Sequence, residues 1–191
     1  MIWNFEEARK QLEYTIDSMV ERFLEKPYTH RVEHSLHCEL FKMLSDLDFF
    51  NKYYKTADGY ETQLIQKEWP ETIAQDLRRR GNFDLVILSP EDIEKSSLAD
   101  FVKGKITPTF VIELSLNYQG NHLEKDLNKM VHSNCENGYI VHLDNGSHYK
   151  KSYDKIHDLI KDYRGKKIKI AYAAKNKDGI QHMKYLHGEL I

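Results

Sequence analysis

Apolar positions in the first 25 residues recur every three to four places: Phe5, Ala8, Leu12, Ile16, Met19, Val20 and Phe23. That spacing predicts a helix over 4–25 with one buried face, Asn4 as its N-cap and Pro27 just past its end. A second stripe of Val32, Leu36, Leu40, Met43, Leu44 and Leu47 predicts another helix over about 29–47. Residues 50–61, around Asp58-Gly59, read as a turn-rich connection. The period then changes. Residues 62–69 (TQLIQKEW) suggest a strand that stops at Pro70. Residues 83–88 (FDLVIL) and 109–116 (TFVIELSL) are mostly apolar, as in strands buried on both faces.

Between those two runs, 89–108 is an irregular excursion with room for one helical turn. Residues 121–133 read as a helix and 138–143 as the next strand. A further helix is expected over Asp154 to Tyr163, and strands near 167–174 and 180–186. The order predicts an α/β fold with a mixed central β-sheet flanked by helices in α-β-β-β-α-β order. An extra N-terminal helix precedes it and C-terminal strands follow. No repeat or long Pro/Gly/Ser linker divides the chain, so 1–191 reads as a single domain.

Two charges stand where core strands should have none. Asp84 interrupts Phe83 to Leu88, and Glu113 interrupts Phe110 to Leu114. Alternation along a strand puts Asp84 on the face of Val86 and Leu88, and Glu113 on the face of Val111 and Ser115. An unpaired buried carboxylate costs several kcal/mol. Two on neighbouring strands also repel, by roughly 4 kcal/mol at 4 Å and an effective dielectric near 20. A divalent cation removes both penalties, and hard oxygen ligands suit Mg²⁺ or Mn²⁺ rather than zinc. The plainer alternative places both acids at frayed strand ends, against water or a lysine.

The runs GNFDLVIL and FVIELSL, followed by LEKDLNKM, resemble the restriction-endonuclease-like PD-(D/E)XK nucleases. The resemblance spans residues 31–143 and rests on the order and spacing of short motifs. It implies a restriction-endonuclease-like core, with Asp84 and the Glu113 of a Glu-x-Lys motif as Mg²⁺ ligands. VEHSLHCELFKML resembles the first core helix, which makes Glu33 the helical acid, with Glu39 on another flank. Glu68-Trp69 resembles the further Glu and aromatic of some branches. Ser115 stands where that family has its lysine. Two readings follow. The ammonium comes from the next helix, where Lys125 and Lys129 lie four apart and Lys129 completes Asp126-x-x-Lys129; or the chain keeps the fold without cleavage and binds DNA or a protein partner. Retention of four acids favours the first. The resemblance thus implies metal-dependent phosphodiester hydrolysis in DNA, and pairing of two copies as in nucleases that cut both strands. A third reading is a metal phosphohydrolase acting on a small phosphate ester.

Composition narrows the alternatives. The 191 residues carry 28 Lys+Arg and 30 Asp+Glu, a net charge of −2, which argues against a generic polycation that coats nucleic acid. The halves differ: residues 1–100 hold 13 basic and 20 acidic side chains, residues 101–191 hold 15 and 10. Basic runs at Arg78, Arg79 and Arg80, at Lys150-Lys151 and at Lys166-Lys167 are candidate phosphate contacts. No bilayer-spanning stretch or secretory signal is evident, and the two cysteines, Cys38 and Cys135, read as reduced thiols of a cytoplasmic protein. Walker, dinucleotide and Gly-x-Ser-x-Gly patterns are absent. His34 and His37 lie three apart beside Cys38, without a second pair at zinc-finger spacing, so a zinc site is set aside.

Overall fold

Helix α1 runs Phe5–Glu25, and the Asn4 side chain accepts a hydrogen bond from the Glu7 amide at 3.0 Å. That cap satisfies one of the amides left open at a helix start, a contribution of about 1 kcal/mol. Its expected apolar face is buried from Ala8 to Phe23. The computed structural model describes residues 3–71, 81–117, 121–146, 167–176, 179–186 and 189–190. Helix α2, Glu33–Ser45, is shorter than the stripe suggested. Val32 is its N-cap and is exposed rather than part of the buried face, and His37 takes a place among Leu36, Leu40 and Leu44.

The connection after α2 is more regular than its turn residues implied. Strands β1 (Tyr53–Lys55) and β2 (Glu61–Gln63) pair antiparallel, and Gly59 supplies the left-handed residue of the turn between them. The expected strand over 62–69 is therefore split between β2 and β3, Ile65–Pro70. Pro70 ends β3 from inside, which an edge strand tolerates. After β4 (Asn82–Ile87), the excursion holds two short helices, α3 (Pro90–Lys95) and α4 (Leu98–Val102), rather than one turn. Ser89 and Ser97 each cap one by accepting an amide three residues on. Strand β5, Phe110–Leu116, is buried at all seven positions. Helix α5 (Asn121–His132) leads to β6 (Asn137–Asp144), and β7 (Lys167–Asn176), β8 (Gly179–Leu186) and β9 (Glu189–Leu190) follow.

Strands β3 to β9 form one sheet in chain order. The pairs β5–β6 and β6–β7 are parallel, and the other four are antiparallel, so the sheet is mixed as expected. Helices lie on both faces. Glu13 of α1 accepts from Tyr139 and pairs with Lys169 on one face, whereas α5 covers the other. Absence of a side chain at Gly138 admits α5 closely: a Cβ there would stand 2.6 Å from Met130 Sδ. Arg78, Arg79 and Arg80, the helix expected over 154–163, and Lys150, Lys151 and Lys166 lie outside the described residues. No helix among the described residues is long and apolar enough to cross a membrane.

Candidate functional site

Three acids line up across three adjacent strands. Pairing of Lys67 with Leu85 and of Trp69 with Phe83 sets Glu68 across from Asp84. On the other side, the β4–β5 ladder ends at Leu85 and Ile112, one step before Asp84 and Glu113. There the strands part. The Asp84 carboxylate fills the gap, its Oδ2 accepting the Leu114 amide at 2.7 Å.

Helix α5 brings a cation to this row. Lys129 Nζ donates to Glu113 Oε1 at 2.6 Å and to the Asn82 carbonyl at 2.9 Å. It also lies 3.6 Å from Asp126 Oδ1 and 5.7 Å from the centre of the Phe83 ring. Glu113 is only 2% exposed. Burial pushes its carboxyl well above the usual range, with Asp84 adding to the push and Lys129 opposing it. Burial would lower the Lys129 pKa, but Glu113 and Asp126 outweigh it and hold the ammonium charged. Burial, with a contribution from Asp84, raises Asp126 to about 6 against the pull of Lys129.

Helix α2 closes the other side. His37 Nε2 lies 3.6 Å from Asp84 Oδ2 and 3.8 Å from Glu33 Oε1. Both separations exceed hydrogen-bond length. Both ring nitrogens of His37, and Glu33 Oε2, are buried without a hydrogen-bond partner among the described residues. Burial lowers the His37 pKa, favouring the neutral imidazole a metal needs. Glu33 is raised to about 7, first by burial and then by Asp84 and Asp126. One ligand atom each from His37, Glu68 and Asp84 falls within 4.8 Å of the others. An imidazole and carboxylates converging beside orphaned polar atoms form a donor set able to hold a divalent cation, the imidazole being a softer ligand than the oxygens.

No family model, curated protein or solved structure matches the chain.

The structure thus gathers Glu33, Glu68, Asp84, Glu113 and Lys129 into one neighbourhood. Lys125 is not brought in: it is exposed, while Lys129, next to the buried Met130, is carried onto the sheet. Glu39 faces elsewhere, paired with Arg22 and His30. Ser115 points to a different partner, its Oγ 2.7 Å from the buried His142 Nδ1, and burial lowers the His142 pKa to about 4. His37 is an addition to the residues expected from the sequence, where its place one helical turn after Glu33 is the available signal. In the sequence, Asp126 enters only through the Asp126-x-x-Lys129 spacing. It is a third acid in the Lys129 environment.

Proposed function

We propose that the chain is a divalent-metal-dependent nuclease that hydrolyses phosphodiester bonds in DNA. The observation that carries this reading is the Lys129 ammonium held against Glu113 beside the converging ligand atoms of His37, Glu68 and Asp84. That combination supports relocation of the Glu-x-Lys lysine to α5. The order α2-β3-β4-β5-α5-β6 around a mixed sheet supports a restriction-endonuclease-like core. Two cysteines outside any disulfide, one of them exposed, suit a reducing, cytoplasmic setting. Cleavage of both strands would call for two copies of the chain.

Asp84, Glu68 and His37 would hold Mg²⁺ or Mn²⁺, with Glu33 and Glu113 adjoining. The bound cation supplies Lewis acidity toward the phosphate and toward water. The residues supply the rest. Asp84 is fixed by the Leu114 amide, so its free oxygen is aimed without further ordering. Glu113 and Asn82 hold Lys129 in one place, where the ammonium offsets negative charge growing on the phosphate. His37 stays neutral and keeps a lone pair free as burial lowers its proton affinity.

A second reading has its own support. Position 115 holds a serine bonded to His142, as in a nuclease fold that has lost cleavage and serves as a binding module. Plasmid DNA incubated with purified protein and Mn²⁺ separates the two. The nuclease reading expects nicking that chelation stops and that Asp84→Asn and Glu113→Gln each abolish. DNA binding without nicking, unaltered by either substitution, supports the binding module. Nicking that survives both substitutions overturns the metal site.

A further inference from the structure

Neighbouring residues on a strand ordinarily point to opposite faces. Lys67, paired with Leu85, and Glu68, across from Asp84, follow that rule on the sheet, yet both come close to residues of helix α2. Glu68 offers an oxygen within 4.8 Å of ligand atoms on His37 and Asp84. The Lys67 ammonium reaches the residue after His37, donating to Cys38 Sγ at 3.6 Å. His37 senses both, the ammonium lowering its proton affinity and the carboxylate raising it. The backbone is unusual here: Glu68 has φ 52°, a left-handed residue inside a strand. Side-chain-bearing residues seldom adopt that conformation, and where they do they cluster at functional sites.

The two lysines of this neighbourhood differ in what holds them. Lys129 spends its protons on Glu113 and Asn82, with Asp126 adjacent. Among the described residues, Lys67 has no carboxylate within ion-pair distance, and its one hydrogen-bond partner is the thiol of the exposed Cys38. A thiol is a weak acceptor. Lys67 is half-buried, and β3 is the edge strand of the large sheet. It is thus a cation at the rim of an acidic cluster, lightly held and able to exchange its partner. A cluster of carboxylates repels a polyanion, so a strand of nucleic acid that enters it needs such a group.

We propose that Lys67 grips the substrate, exchanging the Cys38 thiol for a backbone phosphate adjacent to the one that meets the carboxylate cluster. This rests on the nuclease reading. Lys67 contributes charge to binding, while Asp84 and Glu113 serve the chemistry.

The test is the binding of the full chain to a fluorescent DNA duplex in Ca²⁺ across a range of salt concentrations, for the wild type, Lys67→Met and Lys67→Arg. Removing one phosphate contact lowers the slope of log affinity against log salt by about 0.9. The slope should fall by that amount in Lys67→Met and stay at the wild-type value in Lys67→Arg. In Mn²⁺, the Lys67→Met defect should appear as a KM raised about tenfold, with kcat changed far less. Mn²⁺ binding by Lys67→Met, measured by calorimetry without DNA, should match or exceed that of the wild type, since a nearby positive charge has been removed. An unchanged salt slope in a Lys67→Met protein that still cleaves DNA overturns the role of Lys67 and leaves the nuclease reading intact. Wild-type protein that neither binds nor cuts DNA overturns both.

Discussion

Replacing Lys129 with methionine keeps most of the apolar stem, one atom shorter, and deletes the charge. Glu113, 2% exposed, then loses its ammonium partner and keeps Asp84 and Asp126 as neighbours. Breaking a buried ion pair from one side costs about 3–5 kcal/mol. Because the Lys129 side chain is itself 17% exposed, the lower end of that range, about 3 kcal/mol, is the expectation. For a chain of this size, that corresponds to a fall in Tm of about 6–12 °C. The sign with pH follows from the Glu113 proton. Its affinity in the fold is already raised by burial and by Asp84, and it rises further without the ammonium. Such a carboxyl carries no penalty below its unfolded pKa near 4.5, and stability is lost as pH climbs toward the folded value. The gap between wild type and Lys129→Met should therefore be closed near pH 4 and widen as pH rises. Urea unfolding in chelator at pH 4, 6 and 8 measures it. Adding Glu113→Gln should restore most of the loss, since both charges are then gone, and a double-mutant cycle gives the coupling. A Lys129→Met protein as stable as wild type at all three pH values, or a gap that widens on acidification, refutes the reasoning.

Mn²⁺ at a hundredfold excess over its Kd should stabilise the chain by about 2.7 kcal/mol, visible as a rise in Tm, and His37→Ala should abolish that rise; an unchanged rise removes His37 from the site. Affinity for Mn²⁺ should increase as pH passes about 7, where Glu33 loses its proton. Calorimetry that gives the same affinity at pH 5.5 and 8 contradicts this. Ser115→Lys should destabilise the chain by several kcal/mol without raising nuclease activity, because position 115 is 2% exposed and committed to His142. Increased nicking by that variant would show instead that an ammonium at 115 can reach the phosphate.

Much of the fold was legible because periodicity reports burial directly. The face of α1, the fully buried β5 and the strand–helix–strand passage through α5 lie where the apolar spacing put them. What escaped depended on polar detail. The ends of the stretch over 50–63 pair as strands because a backbone ladder needs no apolar signature. Two serine caps turned the excursion after β4 into α3 and α4. In the site, Asp84 and Glu113 stood out because charges interrupt apolar runs. His37 did not stand out, since a buried histidine on an apolar helix face looks like core. Lys125 and Lys129 are equivalent by residue type, and only the seating of α5 on the sheet, with Met130 over Gly138, separates them.

The parting of β4 from β5 gives Asp84 a second duty. Its carboxylate stands in for a missing rung, serving an amide that belongs to a residue 2% exposed. Truncation to alanine would strand that N–H in the interior at a cost of about 1–3 kcal/mol, so a dead alanine variant could reflect a frayed sheet rather than lost chemistry. Asparagine retains an oxygen that can receive the same proton, and it isolates the contribution of charge from that of architecture.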